Sequence, residues 1–206
     1  MRIFRMMLTT GSVMLLAAAT ASANLVTNGT FTTDATGWVL SVNGGCSPGF
    51  DSGVGNPAGS VLLNACGAPT SDPTAAQTLS GLTVGQQYDI QADLLLHANL
   101  GGGTGKSFGI YLDNQPGSPI LVTEFLDSSW HTVSTSFTAT LTSHTIIFAA
   151  ETDTRTPGQT ASTDVSYYLD NVVVDPALTR GVPEPAMLWL VGGGLGMLAY
   201  RRRSQV

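Results

Sequence analysis

In this 206-residue chain, three histidines, a scatter of carboxylates, two cysteines and one glycine-rich loop are the residues equipped to act on another molecule. His97, His131 and His144 stand far apart, and none falls in a metal-binding spacing. His131 follows Trp130 in a strand-like stretch, which makes it a surface side chain before it makes it a general base. Glu124, Asp127 and Glu151 could in principle supply the flanking carboxylates of a glycoside hydrolase, but no motif marks a pair. Gly101-Gly102-Gly103-Thr104-Gly105-Lys106-Ser107 looks like a phosphate loop and fails as one. The motif needs a glycine where Leu100 stands, the register from Gly101 is one residue short, and no helical pattern follows. That stretch reads as a loop. The expectation is a protein that is not an enzyme.

Elements to position any site are predicted to be strands. Apolar and polar residues alternate with period two, turn residues separate short runs, and helical periodicity is absent between residues 24 and 182. Predicted strands cover Asn24–Phe31, Trp38–Val42, Ser60–Leu63, Thr74–Leu79, Tyr88–Leu96, Phe108–Leu112, Ile120–Phe125, Trp130–Thr140, Thr145–Ala150 and Ser166–Val174. Tyr88, Ile90, Ala92, Leu94 and Leu96 share one face, as do Val133, Thr135, Phe137 and Ala139. Short strands at this spacing predict an all-β fold, a two-sheet antiparallel sandwich. Candidate core positions are Trp38, Tyr88, Ile90, Leu94, Phe108, Val133, Phe137, Ile147, Tyr168 and Val172.

The charge balance excludes one class of partner. Residues 24–182 carry thirteen carboxylates against Lys106, Arg155 and Arg180. Phosphate backbones need cationic partners, so no nucleic acid is expected.

Both termini carry addresses. Arg2 and Arg5, the apolar stretch Val13–Ala19 and the small residues Ala21-Ser22-Ala23 form a secretory signal peptide over residues 1–23, with cleavage after Ala23. Sec-type export machinery and signal peptidase are the implied partners. In an exported chain, Cys46 and Cys66, twenty residues apart, are expected to form one disulfide. The chain-entropy argument gives such a loop roughly 3 kcal/mol. A β-sandwich domain is assigned to residues 24–176 and a linker to 177–182. Residues 183–206 then run Pro183-Glu184-Pro185, an uncharged stretch over 186–200, and Arg201-Arg202-Arg203 within the basic tail 201–206. Fifteen helical residues reach about 22 Å, short of a hydrocarbon core of roughly 30 Å. The three arginines nonetheless mark a cytoplasmic membrane stop, so residues 186–200 are read as a transmembrane helix.

This terminal arrangement resembles the PEP-CTERM sorting signal, whose order of Pro-Glu-Pro, hydrophobic helix and basic end it reproduces. The resemblance implies processing by an exosortase, a membrane-embedded cysteine protease of Gram-negative bacteria that make extracellular polysaccharide. It also implies anchoring in the inner membrane first, then release to the cell surface or extracellular matrix. The chain would be the substrate of that protease. Nothing in the residues supports the ice-binding label sometimes given to similar tails.

The central region resembles galactose-binding-like jelly rolls, which include several carbohydrate-binding modules. The likeness rests on Asn24-Leu25-Val26-Thr27-Asn28-Gly29-Thr30-Phe31 with Gly37-Trp38, on Gln77-Thr78-Leu79 with Leu82, Gly85 and Tyr88, on Trp130 with Phe137, and on Tyr168-Leu169-Asp170-Asn171-Val172. It implies a jelly-roll sandwich and association with extracellular polysaccharide. Many such modules hold a structural calcium through an acidic residue after the opening phenylalanine. Thr32 stands there instead, leaving Asn28 and Asp170 as candidate calcium ligands. Sugar binding also calls for exposed aromatic faces. Trp38 and Trp130 match core positions of the resembled modules, so Tyr111, Tyr167 and Phe50 are the candidate stacking platforms. A passive envelope protein with no specific ligand is the alternative reading, and a polysaccharide hydrolase the third.

Overall fold

A computed structural model describes residues 24–42, 47–66, 72–99, 107–115, 117–125, 127–151 and 164–177. The signal peptide, Cys46 of the expected disulfide, the glycine-rich residues 101–106, most of the linker and the whole sorting signal lie outside the described residues.

Ten strands are described. They are β1 (Val39–Ser41), β2 (Gly49–Asp51), β3 (Ser60–Cys66), β4 (Thr74–Ser80), β5 (Gln87–Asn99), β6 (Ser107–Leu112), β7 (Leu121–Glu124), β8 (Trp130–Thr138), β9 (Ser143–Glu151) and β10 (Asp164–Pro176). They form two five-stranded sheets, β1-β4-β9-β6-β7 and β2-β3-β10-β5-β8, with every pairing antiparallel. The protein is therefore an all-β, antiparallel jelly-roll sandwich.

Alternation explains why these residues make these strands. On β5 the five residues from Tyr88 to Leu96 on one face are all nearly inaccessible, while Asp89 and Gln91 face solvent. Partner strands do the same, so two apolar inner faces meet across one core. Phe31 and Trp38 lie 5.2 Å apart between ring centroids, Trp38 and Phe148 5.9 Å, and Phe108 and Tyr167 5.2 Å. The first two pairs are tilted and the third is edge to face, all with centroid spacings in the range aromatic pairs favour.

Three expectations need correction, and one strand is unexpected. Asn24–Phe31 is no strand, because Asn28 and Phe31 adopt φ of 53° and 45°, which breaks an extended run. The segment still docks against β10, since Leu25 N–H donates to the Val174 carbonyl and Val172 N–H to that of Gly29. Edge strand β2 goes unforeseen, three residues being too few to show a period. Ile147 is half-buried on the outer face of its sheet, because its neighbours Ile146 and Phe148 take the inner positions. Tyr168 is buried, but it too lies outside the core, between the inward-facing Tyr167 and Leu169.

Candidate functional site

The two tyrosines expected to present stacking faces do not reach the surface. Tyr167 points inward from β10 against Phe108 and Phe125, and burial pushes its hydroxyl far above the usual phenol range. Tyr111 projects from the outer side of β6 but is equally sealed, and its hydroxyl donates to Glu151. Gly109 makes this possible. A Cβ there would stand 2.6 Å from both the Tyr111 ring and a Glu151 carboxylate oxygen. Only a bare backbone lets the ring lie across the strand. Phe50, the third candidate, is half-buried on edge strand β2 and packs against the core.

Asn28 and Asp170 do not form one calcium site. The Asn28 side-chain amide donates to the Asp34 carbonyl at 2.9 Å, the Asp34 carboxylate at 3.3 Å and the Thr36 carbonyl at 3.1 Å. Asp170 accepts backbone N–H bonds from Asn56 at 3.0 Å and Asn171 at 2.7 Å. The two share no partner, and no group of three or more His, Cys, Asp or Glu gathers among the described residues. Calcium takes about six to eight oxygens, and the hydrogen bonds of Asn28 and of Asp170 run to separate partners. Asp170 instead ties the loop before β3 to a bulge in β10. There the partner of β10 on β5 shifts between Asp170 and Val173, and Asn171 takes φ of 50°. The Asn171 amide completes the tie by donating to the Asn56 carbonyl and to Asp93. Burial raises the Asp170 carboxyl above its ordinary value, and the two N–H bonds oppose that rise.

The histidines also resolve into structural roles. His144 is buried, with Nδ1 2.6 Å from Asp113, the orientation a catalytic dyad would have. Its Nε2, however, accepts the N–H groups of Thr140 and Leu141, so the lone pair a general base needs is engaged. His131 stacks on Phe125 at 4.1 Å and contacts Asp127 at 2.8 Å, with no nucleophile's hydroxyl among its hydrogen-bond partners. His97 meets Tyr168 edge to face at 5.0 Å. Tyr168 in turn donates to Asp51, whose carboxyl is held low mainly by the Gly53 N–H and then by this hydroxyl.

An open concavity does exist, and it lies elsewhere. The outer face of β10-β5-β8 holds a groove of about 720 Å³ lined by Asp89, Gln91, Ser134, Ser136, Val173 and Asp175. Register places these side chains together: Asp89 sits between Ser136 and Asp175, and Gln91 between Ser134 and Val173. The Asp175 oxygen Oδ1 is buried without a hydrogen-bond partner. Ligand sites commonly enclose about 300–1,000 Å³, and this lining of hydroxyls, an amide and two carboxylates suits a polyhydroxylated molecule. Alternation in the sequence already sends Asp89, Gln91, Ser134 and Ser136 outward. Their meeting depends on pairings between distant strands.

No known family profile matches the chain, and no curated protein does. Solved structures match by fold. Residues making up 77% of the chain superpose on 97% of the CBM22-1 xylan-binding domain of Paenibacillus barcinonensis Xyn10C, with a TM-score of 0.50 and 14% identity. The K3 cleaved adhesin domain of Lys-gingipain from Porphyromonas gingivalis gives 0.51 at 14% identity, covering 75% of this chain and 98% of that one. The enzymatically active domain of bacteriophage CBA120 tailspike protein 4 gives 0.52 at 14% identity over 74% of this chain. This chain spans about a fifth of the tailspike chain, 21%. At such identities the likeness establishes the jelly-roll fold.

Proposed function

We propose that the protein is an exported, non-catalytic surface or matrix protein that associates with extracellular polysaccharide. The observation that carries this reading is the open polar groove on the outer face of a jelly-roll sheet. The fold supports it, since a xylan-binding domain shares the sandwich over almost its full length. The engaged Nε2 of His144 supports the absence of catalysis. Affinity electrophoresis of residues 24–182 through gels containing the producing bacterium's own polysaccharide tests the reading. Retarded migration is the expected result. Unretarded migration would favour a passive envelope protein, and release of reducing sugar would favour a hydrolase.

The address of the protein belongs to the same proposal. The signal peptide directs export, and the Pro183-Glu184-Pro185 signal directs exosortase processing and release from the inner membrane. Mass spectrometry of surface-released protein should show a chain beginning at Asn24 and lacking Trp189 and Arg201. The same spectra, taken without reduction, should show Cys46 and Cys66 joined. A released chain that keeps its arginines would point to a plain membrane anchor, and two alkylated thiols would remove the disulfide.

A further inference from the structure

Beyond the groove, the same outer face carries an apolar row, and the two together define a direction and a class of ligand. Trp130 opens β8, and alternation with the inward-facing Val133 and Phe137 turns it outward. It is half-buried, not a core residue as its match to the resembled modules implied. Across the sheet Trp130 pairs with Leu95, Leu95 with Tyr168, and Tyr168 with Leu62. Leu95 and Leu62 are half-exposed. Six residues of β5 separate Leu95 from Asp89, so the apolar row and the acidic end of the groove stand about 20 Å apart on one face.

Between them runs a polar middle, where Thr132 donates to Asp93 at 2.6 Å and the Asn171 amide to the same carboxylate at 2.9 Å. Ser60, fully buried and directed outward from β3, has an Oγ without a partner, as Asp175 has an Oδ1. Asp51, Asp89, Asp93 and Asp175 all belong to this outer side, and no lysine or arginine occurs among the described residues. Carboxylates accept hydrogen bonds from hydroxyls, whereas a carboxylate ligand placed beside them meets like charge in a partly desolvated groove.

Resting on the polysaccharide reading above, we infer that the outer face of β2-β3-β10-β5-β8 binds a non-anionic polysaccharide lengthwise, stacking one sugar ring on Trp130 and accepting the hydroxyls of sugars further along the polymer at Asp89 and Asp175, and that it excludes uronate-rich polymers. Trp130 supplies the aromatic face and the aspartates set the charge selection.

The test uses the producer's matrix polysaccharide separated into neutral and acidic fractions, with the acidic fraction also offered after chemical reduction of its carboxyl groups. Wild-type protein should bind the neutral and the carboxyl-reduced material and ignore the native acidic fraction. Trp130→Ala should weaken neutral binding about tenfold, the loss of one stacked ring, while Trp130→Phe keeps most of it. Asp89→Asn with Asp175→Asn should admit the acidic fraction at least severalfold better. Unchanged circular dichroism and melting temperature would show that the variants fold. Tighter binding of the acidic fraction by wild type, or neutral binding indifferent to Trp130→Ala, overturns this inference while leaving polysaccharide association standing. Failure of the wild type to bind any fraction overturns the broader reading instead.

Discussion

Gly59→Ala is expected to destabilise the domain by about 3 kcal/mol or more, the sum of a strained backbone and a backbone clash. Gly59 adopts φ of 123°, where an L side chain is strained whatever space surrounds it. A Cβ would also stand 2.2 Å from the Phe31 carbonyl oxygen and 2.9 Å from its carbon. Neither can yield easily, because Phe31 is fully buried against Trp38. The loop and the opening segment would have to part. Chemical denaturation against Gly49→Ala supplies the comparison, since nothing lies within 4 Å of a Cβ at Gly49. At this domain size a loss of about 3 kcal/mol lowers the melting temperature by roughly 10 °C. Equal stability of the two variants would refute the close approach between Gly59 and Phe31.

Asp170→Ala should cost about 3 kcal/mol, by a different route. The carboxylate is inaccessible and receives N–H bonds from Asn56 and Asn171. Removing it takes the charged acceptor from two part-buried N–H groups, and a hydrogen bond to a charged group contributes about 1.5–3 kcal/mol. Asp170→Asn retains one acceptor oxygen and should lose about half as much. Adding calcium separates this account from a metal-site account. If Asp170 serves as a tie, wild type and Asp170→Asn should melt at the same temperatures with calcium or with chelator. A melting temperature for wild type that rises with calcium and not for Asp170→Asn would restore a metal site at this position. Mass action guarantees such a rise for any ion bound only by the folded state.

Both effects converge on the loop before β3, a segment whose importance no local pattern announces. Asn56 and Gly59 look like ordinary turn residues. Their roles come from Asp170 and Phe31, which are far away in the chain and meet them only through the β3-β10 pairing and the docking of the opening segment.

What the sequence determined by itself is the choice of most strands and which way most of their side chains turn. That information is local: period-two alternation on β5 and β8 separates Tyr88, Ile90 and Leu94 from Asp89 and Gln91 without reference to any partner. The all-β class and most core positions follow from it. The arrangement of strands around those residues was decided only in three dimensions. Asn24–Phe31 reads as a strand in sequence, yet positive φ at Asn28 and Phe31 turns it into an irregular strap. Tyr111 looks like a platform in sequence and is sealed because Gly109 lets its ring fold onto Glu151. Trp130 matches core positions of the resembled modules, but alternation with Val133 and Phe137 turns it outward, and the register of β8 with β5 sets it beside Leu95. The groove itself depends on bringing Asp89, Ser136 and Asp175 side by side from three strands. Alternation fixes only which side of a strand a residue occupies. Strand order, register and the bulge at Asn171 fix its neighbours, and those are set by long-range pairing that no window of sequence contains.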